Sequence, residues 1–246
     1  MADASKFNTV AAEYAAGRPD YPAALFEKVA AALGRPLAGA DVIDLGAGTG
    51  IASQQLAERG ARVTAVELSG PMLRQIAASP AVRPVQASAN TLPFRAAVAD
   101  LVTCAQAWHW MDPDRAVPEL RRVLRTGGLF AAWWNHIRRD AAWEAAQRAR
   151  IDAANPAAAA HHFRGPAARD FDTAFGLDVA RHEFTWERVV PLEAHLDNVN
   201  SKSFIAELED PQAFLDRERE IVLGAFPDGL VTERFDTVLY VAREPR

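Results

Sequence analysis

Asp41-Val42-Ile43-Asp44-Leu45-Gly46-Ala47-Gly48-Thr49-Gly50 decides how this chain folds. Val42, Ile43 and Leu45 form a short apolar run suited to a strand buried on both faces. Glycines at 46, 48 and 50 follow, and Ile51 to Arg59 reads as a helix stopped by Gly60. Strand, glycine turn and helix open a nucleotide-binding α/β unit. Glycine lets the backbone approach a ligand closely, and the helix start offers free N–H groups.

The spacing then selects among nucleotides. A dinucleotide fingerprint runs G-x-G-x-x-G, its third glycine allowing close helix–strand packing. Here that third place is Ile51, and the glycine falls one residue early, at Gly50. Asp44, two residues before the first glycine, would repel a diphosphate but could pair with an ammonium group. The next apolar strand, Arg62 to Val66, ends at Glu67, about twenty residues on, where such folds place the acid that accepts both ribose hydroxyls. A ribose ligand with a cationic amino-acid end and no phosphate is S-adenosylmethionine.

At this point the sequence resembles a family. Val42 to Gly50 looks like motif I of the class I S-adenosylmethionine-dependent methyltransferases, and Val63 to Met72 (VTAVELSGPM) like their following motif. Arg121 to Gly128 (RRVLRTGG) completes a combination far more specific than a lone G-x-G-x-G. The likeness runs from about Phe7 to Trp134. Tyr14-Ala15-Ala16-Gly17-Arg18-Pro19-Asp20-Tyr21-Pro22 and Ala105-Gln106-Ala107-Trp108-His109-Trp110 resemble the small-molecule branch that includes trans-aconitate and ubiquinone-type enzymes. The resemblance implies S-adenosylmethionine as cofactor and S-adenosylhomocysteine as product, with Gly46, Ala47, Gly48, Gly50, Glu67 and Gln106 around them. It also implies an N-terminal cover, making Arg18 a candidate partner of the methionine carboxylate and Tyr14 a lid residue. Leu68 and Met72 fall near the adenine. The segment Ala87 to Phe94 resembles the loop holding the adenine edge. Many relatives carry an acid at the place of Ser88 or Asn90; its absence here turns attention to the Ala89 N–H and the Asn90 side chain.

The expected architecture is α/β: a Rossmann-like, seven-stranded, mostly parallel sheet with helices on both faces and an antiparallel last strand. An N-terminal lid and helix (1–35), a cofactor-binding core (36–135) and acceptor-side helices and strands with a helical cap insertion (136–246) form one domain. With 246 residues, half of them apolar, the chain can bury a full core. Its net charge of −5 and lack of a long basic run disfavour nucleic acid as partner. No apolar stretch approaches the roughly 18 residues of a membrane span. The single Cys104 permits no internal disulfide and suits a cytoplasmic setting. Oligomeric state is not legible.

Further along, Val82 to Ala87, Val98 to Ala105 and Leu129 to Trp134 read as strands three to five, Leu177 to Val190 as the sixth, and Arg234 to Arg243 as a final strand lying between the fifth and sixth. Ligands bind beyond the carboxyl ends of strands one and four, where strand order reverses. That puts Trp108 and His109 at an acceptor pocket, with Trp110 as packing. Trp133 and Asn135, ending the fifth strand, could line the same pocket. His161-His162 lacks metal-ligand spacing, and no metal is expected.

Methyl transfer from a sulfonium is an in-line displacement in which the protein mainly aligns the reactants and excludes water. A base is needed only for a neutral hydroxyl or amine acceptor, a role assigned here to His109. The expected activity is methylation of an O or N atom of a small molecule bearing a flat ring or a carboxylate. The competing readings are a non-catalytic S-adenosylmethionine-binding regulator or assembly protein and a nicotinamide-dependent oxidoreductase.

Overall fold

The computed structural model describes residues 17–76, 82–156 and 179–243. Helix α1 (Ala23–Leu33) starts after Pro22 and ends at Gly34, whose positive φ of 79° lets its N–H return to Ala30 and Ala31 carbonyls. The alternation that follows is β1 (Asp41–Leu45), α2 (Ile51–Glu58), β2 (Arg62–Glu67), α3 (Gly70–Ile76), β3 (Val82–Gln86), β4 (Ala99–Ala105), α4 (Pro113–Val123) and β5 (Leu124–Ile137). A single 3-10 turn, Trp108–Trp110, bridges β4 and α4. Beyond lie α5 (Ala142–Ala154), β6 (Val179–Pro191), α6 (Leu192–Asn200), α7 (Ser203–Ala206), α8 (Pro211–Ala225) and β7 (Leu230–Arg243).

The seven strands lie in the order β3-β2-β1-β4-β5-β7-β6. β1 to β5 pair in parallel, and β7 runs antiparallel between β5 and β6. The expected sheet is therefore the observed one, including the inserted last strand. Strand order reverses between β1 and β4, which opens a crevice at their carboxyl ends. The first half follows the expected bounds closely. β5 and β7 are longer than expected, and the expected helical insertion is made of three helices, α6 to α8, between β6 and β7.

Each face of the sheet buries its own apolar layer. One joins Leu25, Phe26 and Val29 of α1 and Leu56 of α2 to Val42, Val63 and Trp133. The other joins Val117, Leu120 and Val123 of α4 to Ile43, Phe130 and Trp134. β5 thus sends Trp133 to one face and Trp134 to the other, as the twofold alternation of a strand requires. Both indoles are buried completely or nearly so, and burying a large apolar side chain contributes about 1.5–3 kcal/mol. The helices from α5 to α8 have separate, smaller clusters: Ile151, Val199, Ile205 and Leu215, and Leu192, Leu196, Val222 and Val231. No described helix is long and apolar enough to cross a membrane.

Candidate functional site

At the crevice the β1–α2 turn is closed by its own hydrogen bonds. Ala47 N–H donates to the Val66 carbonyl at 3.0 Å and Gly50 N–H to the Ala47 carbonyl at 2.9 Å. Gly48 N–H donates to Glu67 Oε2 at 2.9 Å. Gly46, Gly48 and Gly50 all have positive φ. A Cβ on Gly46 would lie 2.6 Å from that of Ala107, so the glycine is required twice over, by dihedral and by space. With these three N–H groups engaged and two carboxylates close by, the turn is poorly suited to a diphosphate. That runs against the nicotinamide reading.

The Glu67 carboxylate also receives Ser69 N–H at 2.8 Å on Oε1. Each of its oxygens keeps a second lone pair, directed by two rigid backbone donors, and its side chain lines the cleft. Gly46, Gly48, Glu67, Leu68, Met72, Ala89, Asn90 and Gln106 all line this same cleft, together with Val66, Ala87, Ser88, Ala105, Ala107, Trp110 and Met111. A second, contiguous recess is walled by Arg18, Pro19, Tyr21, Gly46, Ala47, Gly48, Thr49, Ile51, Ala52, Ala105 and Gln106. The buried Thr49 hydroxyl there has no hydrogen-bond partner among the described residues.

The loop opposite Glu67 is clamped from α4. Glu119 accepts Leu92 N–H at 2.6 Å, and Arg122 donates to the carbonyls of Phe94 and Leu92 at 2.6 and 3.0 Å while pairing with Glu119. Arg122 reads from sequence as part of a solvated side; in the fold it holds the Ser88–Phe94 segment in place. Asn90 itself accepts from Asp112 N–H at 3.4 Å.

Several expected site residues land elsewhere. Asp44 is fully buried, accepting from Thr103 and Ser53 hydroxyls at 2.7 and 2.6 Å, and lines neither recess. Burial pushes its pKa up to about 6 against the two hydroxyl bonds. It therefore carries charge beneath the glycine turn at neutral pH without presenting surface to a ligand. Trp108 and Trp110 exchange the roles expected of them. Trp108 is buried against Phe130, ring centroids 5.2 Å apart, whereas Trp110 is half exposed and lines the cleft. Trp133 is sealed in the core beneath Tyr21 and Phe26, at 5.5 and 6.0 Å, and cannot line an acceptor pocket.

His109 stands beside Trp110, centroids 4.6 Å apart, but is not part of the cleft wall. Its Nδ1 accepts from Trp134 Nε1 at 3.4 Å. Burial of part of the ring pushes its pKa down to about 4, so it is neutral at pH 7. A neutral ring with Nδ1 accepting keeps its proton on Nε2 and has no spare lone pair for a substrate proton. This arrangement speaks against the general-base role expected of His109.

Asn135 is a clamp. Its Nδ2 donates to the Asp20 carbonyl at 3.1 Å and its Oδ1 accepts from Thr237 at 2.6 Å. It is one of several residues holding the chain from Gly17 to Tyr21 across the recess. Gln55 bonds Tyr21 twice at 3.0 Å, Arg188 donates to the Gly17 carbonyl at 2.9 Å, and Arg18 donates to the Ser201 carbonyl at 3.1 Å. A Cβ on Gly17 would come within 2.3 Å of the Asn198 nitrogen, so this segment lies directly on α6. Tyr14 and the His161-His162 pair fall outside the described residues.

Sequence reading also missed a buried polar network beneath the cap. Glu233 on β7 accepts from Arg188 at 2.6 Å and Asn198 at 2.8 Å, and meets His195 Nδ1 at 2.8 Å. These three partners hold its carboxyl below the usual range despite burial. The signal was present: Val231, Glu233 and Phe235 share the inward side of β7, and an inward acid must find partners.

Comparison with known proteins fits this geometry. The methyltransferase domain family matches residues 43–132. An uncharacterized methyltransferase of Mycobacterium tuberculosis is 41% identical over 130 residues, 52% of this chain and 51% of that protein. The chain thus spans about half the length of the curated relatives it matches. Over 93% of this chain and 99% of the other, the fold is similar to a candidate type II methyltransferase from Anaeromyxobacter dehalogenans, with 26% identity and a TM-score of 0.67. It shares its fold, at 15% identity and a TM-score of 0.57, with a Haemonchus contortus phosphoethanolamine N-methyltransferase solved with phosphomonomethylethanolamine and S-adenosylhomocysteine, covering 97% of this chain and 58% of that one. Sheet order, glycine turn and strand-end Glu67 agree with the domain match: residues 43–132 form a methyltransferase domain, set in a fold similar to those of solved class I S-adenosylmethionine-dependent methyltransferases.

Proposed function

We propose that the protein transfers the methyl group of S-adenosylmethionine to an O or N atom of a small molecule in the cleft between Glu67 and Trp110. The observation that carries this reading is the Glu67 carboxylate, fixed by Gly48 and Ser69 N–H groups and lining a cleft whose glycine turn has its N–H groups engaged. Glu67 would accept the ribose hydroxyls on its remaining lone pairs. Leu68 and Met72 would sandwich one face of the adenine, and Ala89 and Asn90 would meet its edge. Arg18 and the Thr49 hydroxyl line the recess suited to the methionine end, where an arginine binds carboxylate well.

The cofactor supplies an activated methyl on sulfur, which leaves the protein to orient the acceptor and keep water out. Holding reactants in line contributes as much as roughly 7–11 kcal/mol toward the barrier. Trp110, exposed at the cleft mouth, is the surface against which an acceptor would be aligned. Asp44, ionised beneath the turn, adds negative potential where a sulfonium would sit. His109 acts on this wall by packing against Trp110.

Incubation with methyl-labelled S-adenosylmethionine and a pool of small metabolites tests the activity. The expected result is label in at least one acceptor, lost on Trp110→Ala with S-adenosylhomocysteine binding retained. Binding without transfer to any acceptor would favour the regulator reading.

A further inference from the structure

The sheet ends in two edges of different character. β3, at one end, is five residues long and carries Pro84 at its centre, which has no N–H to offer a further strand. β6, at the other, runs 13 residues and pairs with β7 from Val179 to Pro191 without a bulge. It holds no glycine, and no proline before Pro191. Such an edge presents a row of backbone donors and acceptors to whatever strand can lie beside it. Among the described residues nothing pairs with its outer side.

The side chains of β6 are nearly symmetric about one residue. Arg181-His182-Glu183-Phe184-Thr185-Trp186-Glu187 has a base at one end, an acid at the other and Phe184 in the middle. Arg181, Glu183, Thr185, Glu187 and Val189 are exposed on one face, and His182, Phe184 and Trp186 are half-buried on the other. The body of the protein holds the strand in shape. Trp186 stacks on Phe235 of β7, centroids 4.8 Å apart, and donates to Thr237, while Phe184 packs against the α1 layer. Arg181 pairs with Glu183 on its own strand, yet its side chain stays 43% exposed. Glu187 lies opposite Arg234, which is already engaged by Glu144 and Asp140.

Residues directly opposite in an antiparallel sheet share a face, so β6 can meet its own copy only about an axis that passes through a residue. An axis at Thr185 would set Glu183 against Glu187. One at Glu183 would leave Arg181 facing Thr185. An axis at Phe184 sets Arg181 against the second copy's Glu187, and Glu187 against its Arg181. It also brings His182 to Trp186 and Phe184 to Phe184. Opposite charges and aromatic pairs are the cross-strand contacts that stabilise a ladder.

We propose that β6 is a dimerisation edge, through which two copies of this chain join antiparallel from Val179 to Val189 about Phe184 and merge their sheets into one. The occupant is a second copy because the charges on this edge complement themselves. The pairing stands apart from the cleft and its chemistry.

Sedimentation equilibrium of the full chain over a concentration series tests this, with circular dichroism confirming that each variant is folded. The wild type is expected to form a reversible dimer. Arg181→Glu and Glu187→Arg each set like charges opposite one another in both symmetric pairs, and each should raise the dimer Kd at least about tenfold. An equal mixture of the two variants restores both pairs and should associate about as tightly as wild type. Hydrogen exchange needs no variant: alternate β6 amides, those pointing away from β7, should gain protection as wild-type concentration rises. A wild type monomeric throughout overturns the proposal, as does a dimer that both reversals leave intact. So does a mixture no tighter than its components, or a species that grows beyond the dimer. Protection of those amides in the monomer would give the edge to another segment of the same chain and overturn it equally.

Discussion

The two halves of this molecule hold their sites by different means. From β1 to β5 the site is backbone: a glycine turn closed on itself, two N–H groups aiming Glu67, and a loop clamped by Arg122. From α5 to β7 it is side chain on side chain, with Glu233, His195, Arg188 and Asn198 meeting from three elements. Backbone geometry follows from local sequence, because glycine spacing and strand length fix it within a dozen residues. A network closed across β6, α6 and β7 depends on the whole fold. The common half can therefore be read along the chain, whereas the half that would choose the acceptor becomes visible only in three dimensions.

The sharpest way to break this contrast is to remove the hub of the second half. Glu233→Ala leaves Arg188 without its buried carboxylate, and loss of one partner of such a pair costs about 3–5 kcal/mol. Chemical denaturation should show a fall of that size, with S-adenosylhomocysteine affinity in the surviving folded protein close to wild type. A comparable loss of cofactor affinity would mean that the halves are not separable.

Gly46→Ala tests the first half. The left-handed φ of 63° alone costs about 1–2 kcal/mol with a side chain present, and the contact with Ala107 adds to it. Stability should drop by at least that amount, and cofactor affinity should fall with it.

Lys202 gives a signature in pH. Its pKa is about 7 in the fold and about 10.4 when unfolded, so between these values the unfolded chain binds the extra proton. Stability from this group then rises with pH across that window, by up to about 1.4 kcal/mol per unit, and levels off below pH 7. Lys202→Met should flatten the profile there; an unchanged slope would show that the ammonium is not desolvated.

The smallest effect expected is at His109. Because its Nδ1 lone pair is used by Trp134 and its ring stands outside the cleft, His109→Ala should slow methyl transfer only a few-fold through a loosened Trp110. A loss of about a hundredfold or more would restore it as a base.

These contrasts match what could be read from residues alone. The strand order, the turn and the Glu67 position were all legible, since short apolar runs and glycine stops carry them. The tryptophans were not. Trp108 and Trp110 sit two apart on a 3-10 turn, and only the position of Phe130 on β5 decides which is buried. Trp133 looked like a pocket residue because it ends a strand, but α1 covers that face with Phe26. Asp44 looked like a ligand partner until Ser53 and Thr103 took both its oxygens.

Glu67 carries the cofactor assignment most directly, so the decisive measurement is calorimetry of S-adenosylhomocysteine with wild type and Glu67→Ala. The wild type should bind one equivalent, and the variant should lose at least about a hundredfold in affinity, as expected when paired charge-assisted hydrogen bonds are removed. Equal affinity in the two proteins, or no binding by the wild type, would contradict it.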